Sequence, residues 1–286
     1  MRTLKTTMIV LCVIAIAAAV PVMAAGKRDL GLETLAPNDG WASLGAGTTG
    51  GAAATDDHVY TVHNRQELIA ALNDGVYPPP SSTPSIMPKI IYVDGTIDAN
   101  VDDNNVPLTC QDYYRNGYSL EDFLAFYDPA VWGYKVPLPT DPPEIARIAS
   151  REAQKARVQI AVGSNTTIVG LGNNARIRGA QLDLRGSSLT KQRSNIIIRN
   201  ITFQDTFDCF PAWAPKDGAL GSWNAEYDAI AARQTHHIWI DHNIFEDKDT
   251  IDSTEPMYFG VHYERHDGLT DITNASNYVT VSWNRS

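Results

Sequence analysis

The chain has 286 residues, 43% of them hydrophobic, which is enough for one substantial domain with a real core and argues against disorder. Its formal net charge of −10 argues against nucleic acid as a partner. The same charge would repel an acidic polysaccharide unless a cation lay between the two.

The N-terminal stretch MRTLKTTMIVLCVIAIAAAVPVMAAG has a basic start at Arg2 and Lys5, an apolar run from Met8 to Val20, and small residues around Val22-Met23-Ala24. It reads as a secretory signal peptide over residues 1–25. The apolar run is short of the roughly 20 residues a spanning helix needs, and nothing later in the chain supplies another span. The expected mature chain, 26–286, is therefore secreted and monomeric, has no membrane partner, and carries a charge of −12 once Arg2 and Lys5 are lost. Cys110 and Cys209 remain in an oxidising compartment where a bridge could form. Two cysteines so far apart are as often buried singly, and single burial is the expectation.

GWASLGAGTTGGAAA, residues 40–54, is glycine-rich and predicts irregular surface backbone. It lacks the Lys-Ser/Thr ending and preceding strand of a phosphate loop. VYTVHNRQELIAALN opens as a strand and continues as a short helix, with Leu68, Ile69 and Leu72 on one face. KIIYVDGTIDAN predicts a strand ending at Asp94-Gly95. Residues 98–157 form a long acidic, aromatic and proline-rich loop insertion, expected for most of its residues as a solvated lid packed on a larger scaffold, with a helix over PPEIARIASREAQKARV.

Beyond it, NTTIVGLGNNARIRG, NIIIRNITFQD, HIWIDHNIFED and YVTVSWNRS are short Ile/Val strands, each followed by a polar or glycine turn. Aligning Gly170, Asn200, His242 and Trp283 gives steps of 30, 42 and 41 residues. Similar strands separated by unequal loops predict a solenoid whose rungs carry insertions. The expected fold is all-β: a right-handed parallel β-helix with long loops and a few short helices. A β-sandwich is disfavoured because hairpin turns are scarce.

HHIWIDHNIF, residues 236–245, looks at first like a metal site. Strand alternation sends Ile238 and Ile240 to the core, His237, Trp239 and Asp241 outward, and His236 and His242 inward. Asp241 and His242 then cannot chelate one ion, and the histidine spacing is wrong for a helical zinc motif. The stretch is read as a rung, with His242 over Asn200 in a polar ladder.

Stronger chemistry flanks it. Asp228, in GSWNAEYDAI, and the pair Asp267 and Asp271, in HDGLTDITN, each precede a rung strand by a similar distance. Stacked rungs would bring the three carboxylates together, and clustered carboxylates favour an oxygen-ligated Ca²⁺ over zinc. Asp217 is a weaker candidate for a further calcium contact or, equally, the start of an Asp-Gly turn.

From about Lys27 onward the chain resembles the bacterial extracellular pectate lyases of polysaccharide lyase family 1. It carries LGLETLAPNDGW, TTGG, KIIYVDGTID, NTTIVGLGNNARI, NIIIRNITFQD, GSWNAEYDAI, HIWIDHNIF and HDGLTDITNASNYVTVSWN in the family's order. The resemblance implies a right-handed parallel β-helix, de-esterified polygalacturonate as substrate, and a primary calcium site at Asp228, Asp267 and Asp271. The related pectin lyases lack this carboxylate set. It further implies β-elimination: calcium acidifies the C5 proton of the bound uronate, a basic arginine removes it, and an unsaturated uronide is left.

The chain stops at SWNRS, ahead of the segments that carry the family's substrate lysine and base arginine. The resemblance therefore predicts residues 26–286 to be the N-terminal and central part of such a domain, incomplete at its C-terminal end. No catalytic residue is assigned, and neither Arg265 nor Arg285 takes the base role. An inactive fragment or a secreted calcium-dependent pectate-binding module is the alternative expectation. Hydrolysis by paired carboxylates, as in polygalacturonases, is a further rival.

Overall fold

The computed structural model describes residues 28–286; the expected signal peptide, residues 1–25, lies outside them. The chain enters through β1 (Val59–Val62), α1 (Arg65–Leu72), β2 (Lys89–Val93) and β3 (Thr96–Asp98). A helical excursion of α2 (Leu120–Tyr127), α3 (Pro129–Trp132) and α4 (Pro142–Val158) follows. Three-strand rungs then succeed one another: β4 (Gln159–Ala161), β5 (Thr166–Gly170) and β6 (Arg176–Arg178), then β7 (Gln181–Asp183), β8 (Arg193–Arg199) and β9 (Thr202–Gln204). A small hairpin, β10 (Ala212–Ala214) and β11 (Ser222–Asn224), interrupts before β12 (Ile230–Arg233), β13 (Thr235–Asp241) and β14 (Ile244–Glu246). A second hairpin, β15 (Met257–Tyr258) and β16 (Val261–His262), precedes β17 (Thr270–Thr273) and β18 (Asn277–Ser282).

Strands at the same place in successive rungs pair in parallel, giving sheets ordered β1-β2-β5-β8-β13-β18, β17-β12-β7-β4 and β14-β9-β6-β3. This is the parallel β-helix expected from the repeats. Register explains why the strands are so rich in Ile and Val: Ile238 lies over Ile196 and Ile240 over Ile198, so each inward side chain meets its counterpart one rung away. Phe245 stacks on Phe203 in the same way, ring centroids 5.3 Å apart. The interior is a column of like side chains, each buried from both sides.

Four expectations need correction. First, β13 does not alternate cleanly to its end, because His237 and His242 take left-handed backbone, φ 56° and 53°. His242 does mark the same rung corner as Asn200 and Trp283, whose φ values are 55° and 53°. Its side chain nevertheless turns out to solvent, 56% exposed, and Nδ1 sits 2.6 Å from Asp241 Oδ2. The ladder is formed one residue later. Asn243 Oδ1 accepts from Ile201 N at 3.1 Å, Asn243 Nδ2 donates to Ile198 O at 3.0 Å, and Asn243 N donates to Asn284 Oδ1 at 2.9 Å.

Second, Cys110 and Cys209 are bonded to each other, tying the excursion to the segment after β9. Third, the excursion is more than a solvated lid: Tyr113, Tyr118, Phe123 and Tyr127 form an aromatic core of their own with Phe210, Trp213, Trp223 and Tyr263. Aromatic residues in that stretch were visible, but periodicity did not show which partner they would pack against. Fourth, the glycine-rich segment is not all at the surface. A Cβ on Gly51 would stand 1.9 Å from Lys89 O, so only glycine lets this backbone lie against the rung. The strand predicted to end at Asp94-Gly95 does so at Val93, and the predicted helices are α1 and α4.

The ladder predicts unequal costs for neighbouring substitutions. Asn243→Ala strands a buried backbone N–H and C=O and should lose about 2–3 kcal/mol in urea unfolding. His242→Ala should lose no more than about 0.5 kcal/mol, since Asp241 keeps Arg199 and Ser282 as partners. Equal losses would contradict the assignment.

Candidate metal and substrate site

β12 and β17 are parallel neighbours, with Ile230 opposite Thr270 and Ala231 opposite Asp271. Asp228 and Asp267 lie on the approach to these two strands, and Ile230 N donates to Leu269 O at 3.3 Å to close the entry. The chain between Asp267 and Asp271 passes directly over Asp228: a Cβ on Gly268 would be 2.8 Å from Asp228 Oδ1. A side chain there would press on the carboxylate, which gives the Asp-Gly sequence a reason beyond its turn.

Asp228 is 3% exposed, and its Oδ2 is buried without a hydrogen-bond partner. Burial, then the charges of Asp267 and Asp271, push its carboxyl up to about 7, with Arg233 opposing. Asp267, although a surface residue, is also raised, first by partial desolvation and then by Asp271. Arg233 Nη2 stands 3.5 Å from Asp271 Oδ2. The three aspartates singled out in the sequence are near enough for the charges of Asp267 and Asp271 to add to burial in raising Asp228, and for that of Asp271 to add to desolvation in raising Asp267. The structure adds Arg233, which no spacing argument picked out because its relevance depends on the β12–β17 register.

Among the described residues no group of three or more His, Cys, Asp or Glu side chains stands at metal-holding distance. The donor set still suits an oxygen-preferring divalent ion in kind: one buried oxygen lacks a partner, and two carboxylates beside it raise its affinity for positive charge.

Supports reach the site from two directions. His266 faces the carbonyls of Thr206 at 2.8 Å and Thr250 at 2.6 Å, fixing the backbone just ahead of Asp267. On the other side, Glu226 is held by Lys155 Nζ at 2.6 Å and Arg151 Nε at 3.2 Å, both from α4. Buried Asp208 accepts from Glu226 N at 3.1 Å and is itself pushed up to about 6 by desolvation. A cavity of about 230 Å³ is bordered by His266, Asp267 and Gly268, while Asp228 and Asp271 are not among its lining residues.

Other candidates are elsewhere. Asp217 N donates to Ala214 O at 3.1 Å in an exposed turn. Arg265 stacks on Phe207 at 4.6 Å and pairs with Glu255 at 3.3 Å, beside the disulfide. His236 Nδ1 faces His237 Nδ1 at 2.8 Å, and His237 Nε2 faces Leu44 O at 2.9 Å.

The family model described as pectate lyase matches residues 8–115 and 144–286. The chain belongs to the pectate lyase family. It is similar to a pectate lyase of Bacillus subtilis (strain 168), 46% identical over 260 residues, covering 91% of this chain and 58% of that protein. Pectate lyase E of Dickeya dadantii (strain 3937) is 33% identical over 273 residues, covering 96% of this chain and 52% of that protein. The chain thus spans between half and three-fifths of the length of these relatives.

Among solved structures, a pectate lyase from Acidovorax avenae subsp citrulli aligns with TM-score 0.80 at 38% identity, covering 94% of this chain and 60% of that one. A pectate lyase bound to a hexasaccharide aligns with TM-score 0.80 at 44% identity, covering 91% and 63%. The unmatched residues between the two parts of the family match contain α2 and α3, so the family's sequence pattern does not extend over that part of the aromatic core.

Without metal, the buried Asp228 charge should destabilise the fold. Its carboxyl is raised from near 4 in the unfolded chain to about 7 in the folded one. No penalty applies below pH ~4; it grows as the unfolded chain ionises and levels off above about 7. In EDTA, Asp228→Asn should therefore raise the melting temperature at pH 8 and leave it nearly unchanged at pH 4. A variant less stable than the parent at pH 8 would contradict this.

Proposed function

We propose that this chain is the calcium-binding part of an exported pectate lyase that cleaves de-esterified polygalacturonate by β-elimination. The observation that carries the proposal is the buried Asp228 oxygen without a partner, flanked by Asp267 and Asp271, in a member of the pectate lyase family. Asp228, Asp267 and Asp271 would hold Ca²⁺, which supplies positive charge to a uronate carboxylate and to the enolate-like charge that develops when C5 loses its proton. An acidic chain can then take an acidic polymer, since the ion stands between the two sets of carboxylates.

The residues have separable parts in this reading. Asp228 presents its unpaired oxygen from the buried side, while Asp267 and Asp271 close over it from the neighbouring rung. Arg233 limits the repulsion between them and keeps Asp271 oriented. Gly268 leaves room for the Asp228 carboxylate. No residue of this chain is assigned as the base. Residues 26–286 act as one monomeric domain, and export is supported by the Cys110–Cys209 bridge, which suits an oxidising compartment.

A second reading, calcium-dependent pectate binding without cleavage, is favoured by one observation: Arg233, the arginine beside the carboxylates, is engaged with Asp271. Incubation with polygalacturonate and Ca²⁺, followed by ultraviolet absorbance of the unsaturated product, separates the readings. Product that appears with Ca²⁺ and disappears with EDTA supports the lyase and requires a base within this chain, against the expected truncation. Retention on a pectate column with Ca²⁺ but no product supports the binding module. Neither retention nor product, or saturated product from hydrolysis, would overturn the proposal.

A further inference from the structure

A second polar pocket lies at the other end of the sheet that carries Asp271. In the order β17-β12-β7-β4, β4 is the edge strand, three strand spacings or roughly 14 Å from β17. Between β4, α1, the end of α4 and the loop around 77–84 is a cavity of about 310 Å³. That is the low end for a small-molecule pocket, enough for one sugar ring and too small for a chain of them.

Two guanidinium groups line it. Arg65 is only 6% exposed, yet among the described residues no carboxylate lies within ion-pair distance of it. It donates to carbonyls at the end of α4, Arg157 O at 3.0 Å and Ala156 O at 3.5 Å. Burial and then the neighbouring Arg157 charge hold its guanidinium below the ordinary arginine range. Arg157 pairs with Asp103 at 2.8 Å through Nη1 and with Val101 O through Nη2, while its Nε is buried without a partner.

Asp103, 62% exposed and shared with Tyr77, is the carboxylate that faces this pair. Two cations against one exposed anion leave positive charge at a concave surface, and buried positive charge without a counter-ion is costly. The other walls suit a sugar: Tyr77 and Pro79 offer flat apolar faces, and Ser81 and Ser82 offer hydroxyls.

We propose that this pocket binds one uronate ring, its carboxylate on Arg157 and Arg65 and its hydroxyls on the serine-bearing loop. The choice of a sugar acid over another small carboxylate rests on the pectate reading above; the anion-binding character does not. Charge-assisted hydrogen bonds from the two guanidinium groups would hold the uronate carboxylate. The pocket is separate from the aspartate site and needs no metal, so it would respond to released uronate units rather than take part in cleavage.

The test is calorimetric titration of the chain with D-galacturonate in EDTA, using D-galactose and inorganic phosphate as comparison ligands. Galacturonate should bind, galactose at least tenfold more weakly, and phosphate no more tightly than galacturonate. Ser82→Glu, at an exposed loop position, and Arg157→Gln should each weaken galacturonate at least tenfold, with unchanged circular dichroism showing that they fold. Asp228→Asn should leave the affinity within twofold even if it abolishes calcium binding, which separates this pocket from the pectate reading.

Loss of galacturonate binding in Asp228→Asn would place the ligand at the aspartates and overturn the proposal. Equal affinity in Ser82→Glu and the parent, or equal binding of galactose, would overturn it too. Binding of phosphate without galacturonate would overturn the sugar-acid assignment.

Discussion

Parallel register between neighbouring rungs is the constraint from which the rest of this molecule follows. A ladder that sets Ile238 over Ile196 and Ala231 over Asp271 leaves no freedom in what stands beside what. On the inward face the result is favourable, because like apolar side chains bury one another. On the outward face the register sets Asp271 opposite Ala231, three residues past Asp228, and burial, then the charges of Asp267 and Asp271, push the Asp228 carboxyl up. Like charges about 5 Å apart cost about 1 kcal/mol in water and several times more when partly buried. The fold accepts such repulsion at Asp228, Asp267 and Asp271, and in the proposed function a divalent cation would relieve it.

Much of the surrounding structure supports the segment that carries Asp228. α4 presents Arg147, Arg151 and Lys155 at one-turn intervals, a single basic stripe. Arg147 is held by Glu144 and donates to Phe210 O at 2.6 Å, while Arg151 and Lys155 grip Glu226, two residues before Asp228. The disulfide fastens the same layer from Cys209, next to buried Asp208, whose carboxylate accepts from Glu226 N. Charge on the excursion thus positions charge on the rungs through partly buried pairs, which are worth more than exposed ones because solvent screens them less.

Much of this was legible in the sequence. Recurrent Ile/Val strands predict the solenoid, Asn200, His242 and Trp283 mark equivalent left-handed rung corners while Gly170 ends its strand, and the three aspartates stand out by their distance from the following strand. The features that the sequence does not display depend on backbone conformation or on non-local packing. His242 was assigned inward because strict alternation assumes extended backbone, and a left-handed corner breaks it; the ladder passes to Asn243. Arg233 and Glu226 could not be assigned because their partners come from another rung and from α4. Pairing of Cys110 with Cys209 required knowing that the excursion folds back on the segment after β9, and composition carries no such information.

The central claim is that Asp228, Asp267 and Asp271 act as one cation site. The most direct measurement is a calcium isotherm, by calorimetry, on the chain and on Asp271→Asn. The account predicts one calcium ion bound per chain by the parent, with affinity at least tenfold weaker in the variant while the fold is retained. Calcium bound equally by both proteins, or by neither, would contradict it.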